Sequence, residues 1–327
     1  MKLHTRLSPF AAYAALLTAC SGNASMMSAP ASLATHADRS PQQQARRAAT
    51  PSKLLYISDG GAHTAHIYSY PQGRKLGTLT NLGQPAGVCD DAAGNVWIVN
   101  SGTSEVLEYA HGGTKPVATH IIQGAGDLYG CAVDPSSGNL AVTDLGNPHG
   151  GGGVWIFAGA VGRPKEYQNR FLPFVYFCAY DTAGNLYFDG IDAGKFKLAR
   201  LPSGGSVFQT IKLNKRVGFP GGLQWAGTNL ALGDQRYGGA DASAVYQVSI
   251  SGSSGQVVGT TQLTGSCDVL QFHIAGGILV APDACKNDVK FYAYPAGGAP
   301  TRIISHLEYP VAATLSVVQG DTEKIVP

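Results

Sequence analysis

One turn recurs along this 327-residue chain and restricts its possible folds more than any other feature. It reads Asp-x-x-Gly-Asn and is followed by a short apolar run. Asp91-Ala92-Ala93-Gly94-Asn95 precedes Val96-Trp97-Ile98-Val99, and Asp181-Thr182-Ala183-Gly184-Asn185 precedes Leu186-Tyr187-Phe188. A copy one residue longer, Asp134 to Asn139, precedes Leu140-Ala141-Val142. Degraded copies are Gly227-Thr228-Asn229 before Leu230-Ala231-Leu232 and Gly276-Gly277 before Ile278-Leu279-Val280. Asn95, Asn139, Asn185, Asn229 and Gly277 are 44, 46, 44 and 48 residues apart. A strand-built repeat of about 40–50 residues marks a stack of similar small sheets.

Each unit holds four strand-like runs. A short inner run precedes the turn (Gly87-Val88-Cys89, Gly130-Cys131-Ala132-Val133), and the run after the turn is the second strand. The Gly-Asn pair is expected to supply the positive φ of a tight hairpin. A third strand follows, as in Val106 to Tyr109, Val154 to Phe157 or Val289 to Tyr292, and it ends at Gly-rich turns such as Gly112-Gly113. Outer strands are expected at Val117 to His120 and Val207 to Thr210. Five units are complete. The stretch from Leu54 to Thr80 lacks an inner strand, and Pro310 to Leu315 supplies one. The expected fold is therefore all-β: a six-bladed β-propeller of four-stranded antiparallel blades, its first blade closed by the C-terminal strand. Closure removes exposed sheet edges.

The composition agrees. Glycine is abundant, at 43 residues, and only 13% of residues are charged, as suits short strands joined by tight turns. Lys2, His4 and Arg6 open the chain, and Phe10 to Leu17 forms an apolar segment too short to span a bilayer. It ends in Leu17-Thr18-Ala19-Cys20, which resembles the bacterial lipobox. The resemblance implies a signal peptide over 1–19 and lipidation of Cys20, which would anchor the chain to a membrane outside the cytoplasm. Residues 20–52, rich in Ser, Ala, Gln and Pro, read as a tether, 53–318 as the propeller and 319–327 as a tail. Without Lys2 and Arg6 the chain carries 21 basic and 21 acidic residues, so no nucleic-acid footprint is expected.

The run Gly-x-x-x-Asp-x-x-Gly-Asn followed by four apolar positions and Asp or Asn resembles NHL repeats. It is also similar to SMP-30/gluconolactonase-like and YncE-like six-bladed propellers, over residues 53–318. That fold hosts lactonases, lyases, receptors and scaffolds alike. SMP-30-like lactonases hold a divalent cation with a Glu, an Asn and an Asp. The matching stretches here read Pro220-Gly221-Gly222-Leu223 and Pro85-Ala86-Gly87-Val88, so Gly221 and Ala86 stand where ligands would be. Neither side chain offers the oxygen a hard cation needs, and no Glu lies between Leu54 and Asn81. No cofactor is expected. An atypical site with Asp268 as a ligand and Ca²⁺ as the ion is the alternative.

Second strands end in Asp59, Asn100, Asp144, Asp234 and Asp283, with Asp189 one position early. These side chains are expected to ring the channel mouth, either holding a ligand or capping their own following turns. The second reading is favoured, because a position repeated in every unit is explained by the repeat. Long loops are expected after those strands: Gly60 to His66, Leu145 to Gly153, Ile191 to Lys195 and Gln235 to Ser243. They carry His63, His66, His149, Asp192, Arg236 and Tyr237 and form a candidate binding face. His63 and His66 could ligate a metal, though solvent-exposed histidines are the favoured reading.

Of the five cysteines after Cys20, Cys267 and Cys285 lie symmetrically about Gly276 and are placed to form a disulfide. Cys131 and Cys178 hold equivalent positions on neighbouring inner strands and either pair or stay as small buried residues. Cys89 is offset by one residue and is expected to face the other way. No Gly-x-Ser-x-Gly, His-Glu-x-x-His or phosphate loop occurs. The expectation is a monomeric, non-catalytic module for a small molecule, glycan or protein, with a metal-assisted lactonase or lyase as the alternative.

Overall fold

The computed structural model describes residues 50–147, 150–168, 171–239 and 242–318. Cys20, His149 and the segments expected to be signal peptide and C-terminal tail lie outside the described residues. Strands β1 (Lys53–Asp59), β2 (Thr64–Ser69) and β3 (Lys75–Leu79) form a sheet with the last strand, β24 (Pro310–Val317), in the order β24-β1-β2-β3. A second sheet is built from β4 (Pro85–Asp90), β5 (Val96–Asn100), β6 (Glu105–Tyr109) and β7 (Ala118–Ile121). The third contains β8 (Leu128–Val133), β9 (Leu140–Asn147), β10 (Gly150–Phe157) and β11 (Lys165–Gln168). Next come β12 (Phe174–Tyr180), β13 (Leu186–Asp192), β14 (Lys195–Leu201), β15 (Gln209–Leu213), β16 (Pro220–Ala226), β17 (Asn229–Asp234), β18 (Ser243–Ser251) and β19 (Ser254–Leu263). These eight form a single sheet. The last sheet holds β20 (His273–Ala275), β21 (Ile278–Asp283), β22 (Asp288–Ala293) and β23 (Arg302–Ile304).

The eight-stranded sheet departs from the expected separate blades. Each half is antiparallel, and the halves join through their outer strands, where β15 pairs parallel with β19 at Lys212–Ser254 and Leu213–Gly255. The cause is local. β15 pairs with β14 only as far as Leu198–Ile211, then turns away. Lys212 N–H donates to Ser253 O (2.8 Å), and Asn214 Oδ1 accepts from Val257 N–H (2.8 Å). The expected strand at Val207 to Thr210 thus starts two residues later, and Val207 is exposed.

Inner strands touch in a closed circle, β24-β4-β8-β12-β16-β20 and back to β24. The sheets therefore stand around an axis and pack face against face, which is a β-propeller arrangement. Strands near that axis are buried on both faces, so their sequences are continuous apolar runs. In β1, Leu54 and Tyr56 pack toward the second sheet, while Leu55 and Ile57 pack toward the last one. Close approach of the inner strands needs glycine. A Cβ on Gly87 would lie 2.5 Å from Tyr129 O, and one on Gly130 would lie 2.9 Å from Tyr176 O.

The repeated turn has a different basis from the one expected. Gly94 and Gly184 do take positive φ (+85° and +76°), but the asparagines after them do not. Asn95 is held instead by its Nδ2 donating to Asp91 Oδ2 (3.0 Å), and Asn185 by the same bond to Asp181 (2.8 Å). The aspartate also accepts from two backbone amides of the turn (Ala93 and Asn95; Ala183 and Asn185). Asp-x-x-Gly-Asn is thus a side-chain clamp around one glycine.

Candidate functional site

The polar ring at the ends of the second strands is built chiefly to hold the loops that lead into the inner strands. Asn100 Oδ1 accepts from Gly83 N–H (2.7 Å) and Gln84 N–H (3.3 Å). Asp144 accepts from Gly126 (2.9 Å) and Asp127 (3.0 Å), Asp234 from Gly218 (3.0 Å) and Phe219 (3.2 Å), and Asp283 from Cys267 (3.2 Å) and Asp268 (3.1 Å). Asp59 accepts from Glu308 (3.0 Å) and Tyr309 (2.8 Å). Bonds to the following turn also occur, at Ala62 for Asp59, Gly146 for Asp144 and Arg236 for Asp234. All five side chains are buried. A buried carboxylate must be paired, and these have spent their lone pairs on the fold.

Asp189 differs because it sits one position earlier, level with Ser58 and Thr143. Its Oδ1 accepts from Phe177 N–H (3.0 Å), and its Oδ2 is buried with no hydrogen-bond partner among the described residues. Burial raises its carboxyl well above the usual range.

Several expected loop residues are elsewhere. His66 is buried within β2, not exposed in a loop. Its Nε2 lies 3.7 Å from Asp59 Oδ2, and its Nδ1 lies 3.2 Å from Thr78 Oγ1. His63, exposed, bonds to Gly83 O, so each histidine has its own partner and the two do not converge. Burial lifts the Asp59 carboxyl, but His66 and the amides of Glu308, Tyr309 and Ala62 outweigh it and bring it down to about 2. The loop expected from Ile191 to Lys195 is a tight hairpin. The hairpin turns on Ala193-Gly194, and Asp192 pairs with Lys197 at 3.7 Å. The long loop expected from Leu145 also shortens, since β9 runs on to Asn147 and pairs with Gly150 of β10.

Cys267 and Cys285 form a disulfide with Cα atoms 6.2 Å apart. Asp283 completes the one group of metal-ligand type among the described residues, but Lys290 Nζ already lies 2.9 Å from its Oδ2. Asp268 stands at the start of that sheet with its carboxyl raised by burial and by the charge of Asp283, against Arg236. The second disulfide joins Cys89 to Cys131, with Cα atoms 5.8 Å apart, and Cys178 is free and buried. Equivalent residues on successive inner strands point the same way around the axis, so Cys131 and Cys178 cannot meet. The one-residue offset of Cys89 turns it toward the next sheet, where Cys131 points back.

What the ring frames is a set of aromatic residues that the strand-end pattern missed. Tyr129 is the second residue of β8 and Tyr176 the third of β12, one repeat apart, and Phe219 immediately precedes β16. The Tyr129 and Tyr176 rings are 5.6 Å apart, those of Tyr176 and Phe219 are 5.4 Å apart, and both pairs meet edge to face. The exposed Arg236 guanidinium lies 5.0 Å from the Phe219 ring centroid. Burial drives the Tyr129 hydroxyl far above its ordinary pKa, and Tyr309, Asp268, Tyr176 and Asp127 add to the effect. These groups therefore converge on one place. Tyr237 is set back from it, accepting at its hydroxyl from Gln262 Nε2 (3.1 Å) and packing on Tyr246. The sequence signal was there to be used: Leu-Tyr-Gly-Cys and Val-Tyr-Phe-Cys put a tyrosine two residues before the cysteine in each copy.

Below this mouth the axis is obstructed. Gln271 reaches from the segment between β19 and β20 to donate from Nε2 to Val88 O (2.8 Å). Beyond it a cavity of about 300 Å³ opens, lined by residues of all the inner strands, including Asp90, Tyr180, Gln224, Gln271 and Thr314. Burial lifts Asp90 to about 6 and lowers His273 to about 4.

No family model matches this chain, and no curated protein sequence matches it. Solved structures do resemble it. A chain of a nidogen/laminin complex superposes with TM-score 0.66 at 15% identity, covering 82% of this chain and 100% of that one. A protein of unknown function from Bacteroides caccae gives 0.61 at 12% identity, covering 81% and 99%. At these identities the likeness is one of fold, and it shows a β-propeller.

Proposed function

We propose that this chain is a six-bladed propeller, its eight-stranded sheet being two blades fused at their rims, and that it acts as a non-catalytic binding module. The observation that carries the reading is the aromatic platform at the channel mouth. Tyr129 on β8, Tyr176 on β12 and Phe219 just before β16 present ring surface beside Arg236, Asp268, Asp127 and Tyr309. Rings combined with a few convergent polar groups suit a small polar ligand with an apolar face, such as a sugar ring. The strand-end carboxylates are engaged with backbone amides, so neither a metal nor an acid–base pair is needed for this reading. The lipobox-like start and two disulfides support export and an envelope location, with the lipid on Cys20 as the anchor and the chain acting as a monomer.

Calorimetric titration with a panel of mono- and disaccharides tests the reading. A binding sugar should lose about tenfold or more in affinity on Tyr176→Ala and on Arg236→Ala, with the folded far-ultraviolet spectrum retained. If bound sugars are indifferent to both substitutions, or none binds, the mouth is not a sugar site. Saturable stabilisation by Ca²⁺ or another divalent ion would favour the metal-assisted enzyme instead.

A further inference from the structure

The departure of β15 from β14 leaves a gap that the other sheets lack. Lys195, Phe196 and Lys197 of β14 pair with β13 on one side, while pairing with β15 begins only at Leu198. The gap is a groove of about 700 Å³, within the range of roughly 300–1,000 Å³ typical of small-ligand sites. Its floor is apolar: Leu198, Ile211 and Val217 are buried, with Phe196 packed beside them. Its rim is cationic. Lys195, Lys197, Lys212, Lys215 and Arg216 all line it, and no acidic residue does.

The cations differ in how far they are already engaged. Lys215 turns away, its Nζ lying 4.6 Å from the Tyr246 ring centroid. Lys197 has Asp192 at 3.7 Å. Lys195, Lys212 and Arg216 are exposed and make no ion pair among the described residues. Like charges gathered over an apolar floor repel one another and gain when an anion arrives. A bare polyanion would leave the floor wet, and a recessed cleft does not meet a flat bilayer.

We propose that this groove binds a soluble single-chain anionic amphiphile, its carboxylate or phosphate at the rim cations and its apolar chain on the Phe196–Ile211–Val217 floor. The groove ends at Gly218, beside Phe219 of the channel mouth, and the proposal does not rest on the function proposed there.

Calorimetric titration of the full chain with decyl phosphate, below its micelle concentration, tests it. One decyl phosphate per chain is expected, bound about tenfold or more tightly than decyltrimethylammonium or inorganic phosphate. Affinity should fall about tenfold in the double variant Lys212→Glu/Arg216→Glu, and also in Phe196→Ser, which removes floor contact. Lys75→Glu, a single charge reversal on exposed β3, should leave it within about twofold. The lysine and arginine positions are exposed, so folding is retained; unchanged melting curves verify that. The proposal is overturned if decyl phosphate gives no heat, or if inorganic phosphate binds equally well. It is also overturned if the double variant binds as the parent does, or if only anionic vesicles bind.

Discussion

Two carboxyls whose pKa burial raises, Asp90 and Asp189, work against the fold as pH rises, whereas Asp59 works for it. Asp90 accepts from the Thr314 hydroxyl, and burial holds its pKa at about 6, above the ordinary 3.8. Its protonated form is therefore the one the fold prefers. Stability from this group is complete below about pH 4 and is lost as pH rises through 6. Asp189 is raised in the same direction. Asp59, lowered to about 2, contributes stability above about pH 4 that is lost as pH falls through 2. Asp90→Asn keeps the oxygen that Thr314 bonds and removes the buried charge. It should stabilise the protein at pH 7.5 by roughly 2 kcal/mol, allowing for water reaching the half-buried carboxyl, and by almost nothing at pH 4. Urea melts at the two pH values check this; an equal effect at both would show that the charge is not the cause. Ser58 and Thr143 show what the Asp189 position normally does. Thr143 Oγ1 accepts from Gly130 N–H (2.7 Å) and donates to Tyr176 O (2.6 Å), joining one inner strand to the next. Asp189 makes the first bond and leaves an oxygen without a partner.

Between elements, the interfaces are faces of sheets, and residue parity decides what meets what. The Cys89–Cys131 disulfide ties the second sheet to the third through their innermost strands, 42 residues apart. Closing a loop of that length restricts the unfolded chain by up to about 4 kcal/mol. The Cys89→Ser/Cys131→Ser variant should therefore lose about 2–4 kcal/mol in denaturant melts, with little change in the folded far-ultraviolet spectrum. Loss below about 0.5 kcal/mol would mean that the two strands are already held together by packing alone. The same parity explains the rim groove, because a strand that leaves its sheet takes both its apolar and its basic residues with it. Lys195, Phe196 and Lys197 of β14 then face a gap where β15 would lie.

At the scale of the molecule, stability depends on the ends meeting. β24 pairs with β1 from Lys53–Val317 to Asp59–Pro310, and Asp59 also pins the amides of Glu308 and Tyr309 that lead into it. Without β24 the edge of β1 is bare, and Val88 and Ala312 lose the interface they share. A chain ending at Glu308 should fail to melt cooperatively or should aggregate through the exposed edge. Calorimetry of that truncation decides the matter, since a soluble form with a single sharp transition would mean that the ring does not need closing. The repeat, the strand order within each unit and the borrowing of the last strand were legible in the sequence, because glycine turns and apolar runs are local and recur. The strand-end aspartates were legible too, but their partners were not. Those partners, Gly126 for Asp144 or Glu308 for Asp59, lie on loops that pairing alone brings near. Tyr129, Tyr176 and Phe219 became a platform, Cys89 found Cys131, and β15 crossed to β19 through contacts between neighbouring sheets. The sequence by itself determined the strands and their number per unit, since those depend on residues a few positions apart. Only the tertiary structure decided which faces meet, because that depends on parity and strand departure around a closed circle, where one residue of offset reverses the direction of a side chain.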